Sequence, residues 1–396
     1  MKYNFSDRIS ALQPSAIREI LKMSSDPQVI SFAAGNPAPE AFPTQAIADI
    51  SKQVLEQNPI GALQYSLTEG YPALRESMKD FAFNHYGIGK SFDELVIVSG
   101  AQQGIELTCK VLCNEKDTII CEDPSFIGSL NSFRSYNTNL VGVEMEDDGI
   151  NVEALEEAIK HNPNTKFIYV IPNFQNPTGK TMSYFKRKRV YELAKQHHIM
   201  ILEDNPYGDL RFEGDDLPSI KSMDTEGLVI YVGSFSKVLS PGMRVGYLIA
   251  HQDLVSKIVV AKQCADVHSN ILAQIICEKF VTNYDIEGHL TRLKEVYKHK
   301  CELMLSEMDK HFSECVAYTR PQGGLFIWCT LPEHVDMVAF CKKAVSEYKV
   351  AVVPGSAFLV TEGTKTQSFR INFSTPTDEQ IVKGIELLGK LTKELC

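Results

Sequence analysis

From about residue 95 the chain alternates short, almost uninterrupted apolar runs with stretches of helical period. The runs are 95–99 (LVIVS), 118–121 (TIIC), 167–171 (FIYVI), 199–203 (IMILE), 228–232 (LVIYV) and 245–249 (VGYLI). Near-continuous hydrophobicity predicts strands covered on both faces, as in a parallel sheet flanked by helices. Between them, Val190, Leu193, Ala194 and His197 recur at helical spacing after Ser183, a predicted N-cap. The basic run 186–189 on that helix is expected to be a solvated face. After about residue 285 a long charged helical stretch, 290–312, precedes apolar strings at 324–329, 350–353 and 368–373. The pattern predicts an α/β fold with a large domain over 45–285, its mostly parallel sheet flanked by helices. A smaller α+β domain is expected from 1–44 and 286–396. Near the start, a helix candidate at 14–23 leads into a Pro-rich passage expected to form an extended lid.

Composition narrows the function. The chain has 396 residues, 50 acidic and 40 basic, for a net charge of −10. That balance argues against a nucleic-acid surface, which needs clustered Lys and Arg. It leaves room for a small phosphate-bearing ligand, which needs only one local nest. No apolar stretch is long enough to span a membrane or serve as a secretion signal, so a cytoplasmic protein is expected. The ten cysteines contain no Cys-x-x-Cys, and several lie in apolar strings, which predicts reduced thiols. Cys109 and Cys113 have no second pair to complete a metal site.

Candidate chemistry gathers where runs end. After 228–232 comes GSFSKVLSPGMRVGY, in which Ser234, Ser236, Lys237 and Arg244 can gather a phosphate and a carbonyl compound. After 167–171 comes PNFQNPTGKT. Its ending resembles a phosphate loop, but Walker A needs glycine where Phe174 stands. What remains is Asn176 on a rigid Asn-Pro-Thr-Gly turn. In ILEDNPYGD, alternation sends Glu203 and Asp204 to opposite faces, with Tyr207 following. In SGAQQG, residues 99–104, a strand meets a helix start whose free N–H groups at Gly100, Ala101 and Gln102 can bind an anion.

The order of these motifs resembles the class I/II aminotransferases, which are fold type I pyridoxal-phosphate enzymes. The resemblance runs from SAIREILK (15–22) to SFRINF (368–373), and ISFAAGNPAPEAFP (30–43) and IPNFQNPTG (171–179) are similar to the 2-aminoadipate/kynurenine aminotransferase branch. It implies pyridoxal 5'-phosphate held covalently by Lys237, with Asp204 pairing the pyridine nitrogen. It further implies Tyr207 and Asn176 on the ring's phenolic oxygen and Phe126 stacked on the ring. The phosphate would meet Gly100, Ala101, Gln102, Ser234, Ser236 and Arg244, and Arg370 would grip the substrate carboxylate, with Gly35 and Asn176 also lining the substrate. Tyr65 resembles a tyrosine that reaches the neighbouring subunit's phosphate, which implies a homodimer with composite sites. Arg18 resembles a lid arginine that reads the far end of the substrate. Asn36 and Asn173 depart from the family's usual residues and are expected near the side-chain pocket.

The implied activity is transfer of an amino group between an amino acid and a 2-oxo acid, with 2-oxoglutarate as acceptor. Two readings stand beside it: β-elimination from cysteine conjugates with the same cofactor, and a non-catalytic regulator carrying the same domain.

Overall fold

The computed structural model describes residues 3–10, 12, 26 and 28–395. The helix candidate at 14–23, with Arg18, lies outside the described residues.

Fourteen strands are described. β1 (Ile30–Ser31) precedes the eight strands of the large sheet, β2 (Asp93–Val98), β3 (Thr118–Asp123), β4 (Asn139–Glu146), β5 (Gly149–Ile150), β6 (Thr165–Val170), β7 (Met200–Asp204), β8 (Val229–Ser234) and β9 (Gly246–His251). Their order across the sheet is β2-β9-β8-β7-β6-β3-β4-β5. Strands β8, β7, β6, β3 and β4 pair parallel, as the apolar runs predict. The run at 245–249 departs from the expected parallel set, because β9 is antiparallel to both β2 and β8. It follows β8 by a short loop, too short for the crossover that a parallel return requires. β4 went unread because NLVGVEME is mostly half-exposed or exposed and so lacks an apolar run.

The remaining strands are β10 (Ala317–Tyr318), β11 (Phe326–Thr330), β12 (Val350–Ala351), β13 (Val353–Pro354) and β14 (Ser368–Asn372). Four of them form an antiparallel sheet in the order β10-β11-β14-β13, which places Arg370 opposite Trp328 on one side and Val353 on the other. β1 pairs parallel with β12, so the Pro-rich passage is tied to the C-terminal part of the chain before it enters the site. The helices Ile286–His311 and Asp378–Leu395 share one apolar core, with Leu293, Tyr297 and Met304 alongside Ile381, Ile385 and Leu388. Each aliphatic side chain buried this way contributes about 1.5–3 kcal/mol.

The helix Tyr184–His197 begins as predicted, with Ser183 accepting the Lys186 N–H at 3.4 Å. Its basic run is a solvated face only in part, since Lys188 is exposed and Arg189 half-buried while Lys186 and Arg187 are buried. Lys186 pairs with Glu146 and, at 2.7 Å, Asp148. Arg187 is fully buried and donates to the carbonyls of Met182, Pro172 and Pro218 at 2.9, 3.0 and 3.0 Å, and to Asn173 Oδ1 at 2.6 Å. A guanidinium saturated by carbonyls can be buried where a solvated charge is expected.

Eight cysteines are free thiols, most of them in the core. Cys315 is disulfide-bonded, contrary to the expectation of reduced thiols throughout; its sulfur lies at an exposed turn rather than in the core. Among the described residues no group of His, Cys, Asp and Glu could hold a metal, and no helix is long and apolar enough to cross a membrane.

Candidate active site

The parallel strands all point their C-terminal ends to one edge of the sheet, where open α/β sheets bind ligands. Five connections leave that edge, after β2, β3, β6, β7 and β8, and β14 approaches from the other side. Between them lies a cavity of about 370 Å³.

Lys237 follows β8 by three residues and lines this cavity. Its Nζ donates to the Gly35 carbonyl at 2.6 Å, so the Pro-rich passage closes over it. Burial, and then the like charges of Arg370 and Arg244, pull its pKa down to about 8. About a tenth of this amine is therefore neutral at pH 7 and about half at pH 8, far more than for an ordinary lysine, and the neutral form can act as a nucleophile.

Asp204 ends β7 with its side chain on the cavity face, 3% exposed. Glu203 faces the other way, accepting the backbone N–H groups of Ile220 and Lys221 at 3.0 and 2.8 Å. Asp204 Oδ2 accepts from the Tyr169 hydroxyl at 2.7 Å, and that oxygen accepts from Ser129 Oγ at 2.8 Å. Among the described residues Asp204 Oδ1 has no partner. Burial lifts the carboxyl to about 7. A buried carboxylate oxygen left empty and aimed at a cavity fits a cationic ring nitrogen.

Asn176 stands on its turn behind a cis Asn176–Pro177 bond. Its amide nitrogen donates to the Tyr207 hydroxyl at 3.4 Å, and its oxygen accepts from Arg370 Nη1 at 2.8 Å. Arg370 also donates to the Ala33 carbonyl at 2.8 Å, while its Nε finds no partner among the described residues. The guanidinium lies over the Phe326 ring, 4.1 Å from its centroid, and burial lowers its pKa to about 10. A stacked, buried cation with a donor to spare is a carboxylate receptor.

On the opposite wall Gly100, at φ +71°, caps the helix Ala101–Leu112 without a side-chain bond, which leaves first-turn N–H groups free. A Cβ on Gly100 would lie 2.2 Å from the Arg244 guanidinium. Arg244 itself takes a left-handed φ of +53° and reaches Ser236 Oγ at 3.5 Å and the Ser99 carbonyl at 3.2 Å. Ser234 Oγ accepts the Ser236 N–H at 3.1 Å. Free N–H groups, two hydroxyls and a guanidinium make an anion nest. The side chain of Gln102 turns away, to Ser132 Oγ and the Gly128 carbonyl, so only its backbone is offered. Phe126 also lines the cavity.

Two candidates, Tyr65 and Asn173, are not brought into the cavity of this chain. Tyr65 is 82% exposed, its ring edge-on to His268 with centroids 5.8 Å apart. Arg18 lies outside the described residues. Asn173, expected near the side-chain pocket, points away from it: its nitrogen donates to Asn205 Oδ1 at 2.8 Å and its oxygen receives Arg187. The left-handed Phe174 between Asn173 and Asn176 turns the chain so that only the latter faces inward. Asn36, by contrast, does line the cavity.

Sequence reading missed the supports. Tyr169 appeared only as one residue of an apolar run. Gln175 donates to the Pro124 carbonyl at 2.7 Å and accepts from Thr178 Oγ1 at 2.7 Å, linking the connection that carries Phe126 to the turn that carries Asn176. A polar residue inside a strand that reads as buried was the available signal for Tyr169.

The empty carboxylate oxygen, the depressed lysine and the anion nest together fit pyridoxal phosphate, whose ring, aldehyde and phosphate need those three partners. The aminotransferase class I and II family matches residues 27–388. Aromatic-amino-acid aminotransferase 1 of Thermococcus litoralis is 39% identical over 394 residues, covering 98% of this chain and 94% of that protein. The 2-aminoadipate transaminase of Thermus thermophilus is 37% identical, covering 99% and 97%. The crystal structure of alpha-aminoadipate aminotransferase from Thermus thermophilus, complexed with N-(5'-phosphopyridoxyl)-L-leucine, matches with a TM-score of 0.91 at 35% identity, covering 99% and 97%. This chain belongs to the class I and II aminotransferases. It is a pyridoxal-phosphate-dependent enzyme that transfers an amino group between an amino acid and a 2-oxo acid. β-Elimination and a purely regulatory role are not favoured by these relatives.

Proposed function

We propose that this enzyme passes the amino group of an aromatic or long-chain amino acid to 2-oxoglutarate, with Lys237 at the centre of the chemistry. The observation that carries the reading is one cavity lined by Lys237, Arg244, Arg370 and the half-satisfied Asp204. The relatives named for aromatic amino acids and 2-aminoadipate support the donor class, as do Ala33, Ala34, Phe126 and Phe326 along the wall. Pyridoxal phosphate supplies an aldehyde that condenses with amines and a protonated ring that draws electrons from the substrate Cα.

The protein's part follows from its own groups. Lys237 Nζ, half neutral at about pH 8, would hold the aldehyde and could move a proton at the substrate Cα. Asp204 Oδ1 keeps the ring nitrogen protonated. Asn176 and Tyr207 would hold the phenolic oxygen, and Phe126 would lie against the ring. The N–H groups of Ala101 and Gln102, with Ser234, Ser236 and Arg244, hold the phosphate. Arg370 orients the substrate carboxylate over Phe326, and Gly35 and Asn36 close the substrate side.

A homodimer completes the site. Tyr65 sits among exposed Ile60, Leu63, Leu67 and Val267, a face suited to a second copy whose phosphate Tyr65 would reach. The division into a large domain over 45–285 and a smaller one from both chain ends belongs to this proposal, as does a cytoplasmic location. The test is a donor screen against 2-oxoglutarate, comparing 2-aminoadipate, kynurenine, aromatic and aliphatic amino acids. Turnover with aromatic or long-chain donors is expected and should vanish in Lys237→Ala. Persistent turnover in that variant, or activity confined to short aliphatic donors, would sink the reading.

A further inference from the structure

Lys262, one residue before the end of the helix Gln252–Gln263, is fully buried. Its Nζ donates to Gln103 Oε1 at 2.9 Å, Asp266 Oδ1 and Oδ2 at 2.9 and 2.8 Å, and Ser269 Oγ at 2.9 Å. Gln103 is shared between this cluster and the active site. Its amide nitrogen donates to Asp266 Oδ2 at 2.8 Å, and its oxygen also accepts the Ser99 N–H at 2.7 Å. Ser99 in turn gives its carbonyl to Arg244 at 3.2 Å and leads directly into Gly100.

Lys262 is buried while Asp266 is 27% exposed, and an ion pair of this kind is a poor device for stability, since an apolar side chain in place of the lysine usually serves the fold as well. What the pair does supply is fixed geometry. It holds Gln103 in one orientation, and Gln103 pins the backbone where the anion nest begins. The same pair closes the turn that carries Val267, at a left-handed φ of +64°, and His268, which abuts Tyr65. A β-branched residue keeps such a conformation only where its surroundings over-determine it.

We propose that Lys262 and Gln103 are positioning residues for the phosphate nest. Lys262 fixes Gln103, Gln103 fixes Ser99, and Ser99 sets both the Gly100 turn and the Arg244 guanidinium. The inference rests on the reading that Arg244 and the N–H groups after Gly100 hold the cofactor phosphate.

The test compares binding of pyridoxal phosphate with binding of pyridoxal, which lacks the phosphate, to cofactor-stripped protein. Gln103→Met, close in size and without the amide, leaves the Lys262–Asp266 pair in place. Gln103→Met and Lys262→Met should each weaken pyridoxal phosphate by about tenfold, one misplaced charge-assisted contact, with pyridoxal binding unchanged. Arg244→Ala is the control and should lose the same selectivity. Equal losses for both ligands mean a merely structural role and overturn the proposal. So does full selectivity in Gln103→Met beside its loss in Arg244→Ala, which leaves the phosphate reading standing. Unchanged selectivity in Arg244→Ala overturns the phosphate reading itself and the proposal with it. Should Lys262→Met fail to fold, Gln103→Met decides alone.

Discussion

Asp204→Asn separates what the site needs from what the fold tolerates. In the ligand-free chain Asp204 is 3% exposed, and burial raises its pKa from 3.8 to about 7. In the unfolded chain the same group titrates at its ordinary value. Between those two values the folded chain holds a proton that the unfolded chain has released, so stability falls as pH rises through this window. A shift of about 3 units, at about 1.4 kcal/mol each, costs about 4 kcal/mol, felt in full above pH 7 and absent below pH 3.8. Asparagine has the same shape without the charge and keeps an oxygen for Tyr169. Its amide N–H₂ replaces the unpartnered Oδ1 and forfeits about 1–2 kcal/mol for lack of an acceptor. The ligand-free variant should therefore be about 2–3 kcal/mol more stable than the parent at pH 8, and close to it at pH 5. Urea unfolding of cofactor-stripped protein at both pH values, at one fixed protein concentration, measures this. Turnover should collapse in the same variant. A variant no more stable than the parent at pH 8, or one whose advantage persists at pH 5, would refute the reasoning.

Other consequences can be checked as directly. Arg370→Lys loses the planar fork over Phe326 and should raise KM for the donor, lowering kcat/KM by about 30- to 100-fold, while the absorbance of bound cofactor stays put; an unchanged KM contradicts the assignment. Cofactor uptake by stripped protein should speed up as pH rises through about 8, where Lys237 loses its proton. Arg370→Ala removes a like charge, so that midpoint should move upward, and a downward move in stopped-flow measurements would be the wrong sign. Mixing Tyr65→Ala with Lys237→Ala protein should restore activity that neither variant has alone, because a hybrid dimer rebuilds one complete site; a mixture as inactive as its parents counts against Tyr65 crossing between subunits.

Most of the candidate site was legible in one dimension because most of its residues sit just past an apolar run. A strand's end fixes where its next few residues emerge, so Lys237, Asp204, Asn176 and the Gly100 turn could be assigned to one edge before any fold was known. Alternation alone separated Asp204 from Glu203. The polar strand β4 and the antiparallel return of β9 were not legible, since the first lacks an apolar run and the second has the same composition as its parallel neighbours. The basic run 186–189 misled at Lys186 and Arg187, because a string of charges does not reveal that carbonyls from distant turns converge on Arg187.

The sequence by itself determined most strands of the sheet, the order of the site-bearing connections and the candidate residues of the site. These follow from local pattern, because burial on both faces of a strand and the identity of the next side chain are properties of short segments. Only the tertiary structure decided what holds those residues and how they titrate. That Tyr169 supports Asp204, that Arg370 rests on Phe326 and meets Asn176 from 194 residues away, and that Lys262 reaches Ser99 through Gln103 depend on side chains converging from separate elements. The depressed Lys237 and the raised Asp204 have the same origin, since burial and neighbouring charge exist only once the chain has closed around them.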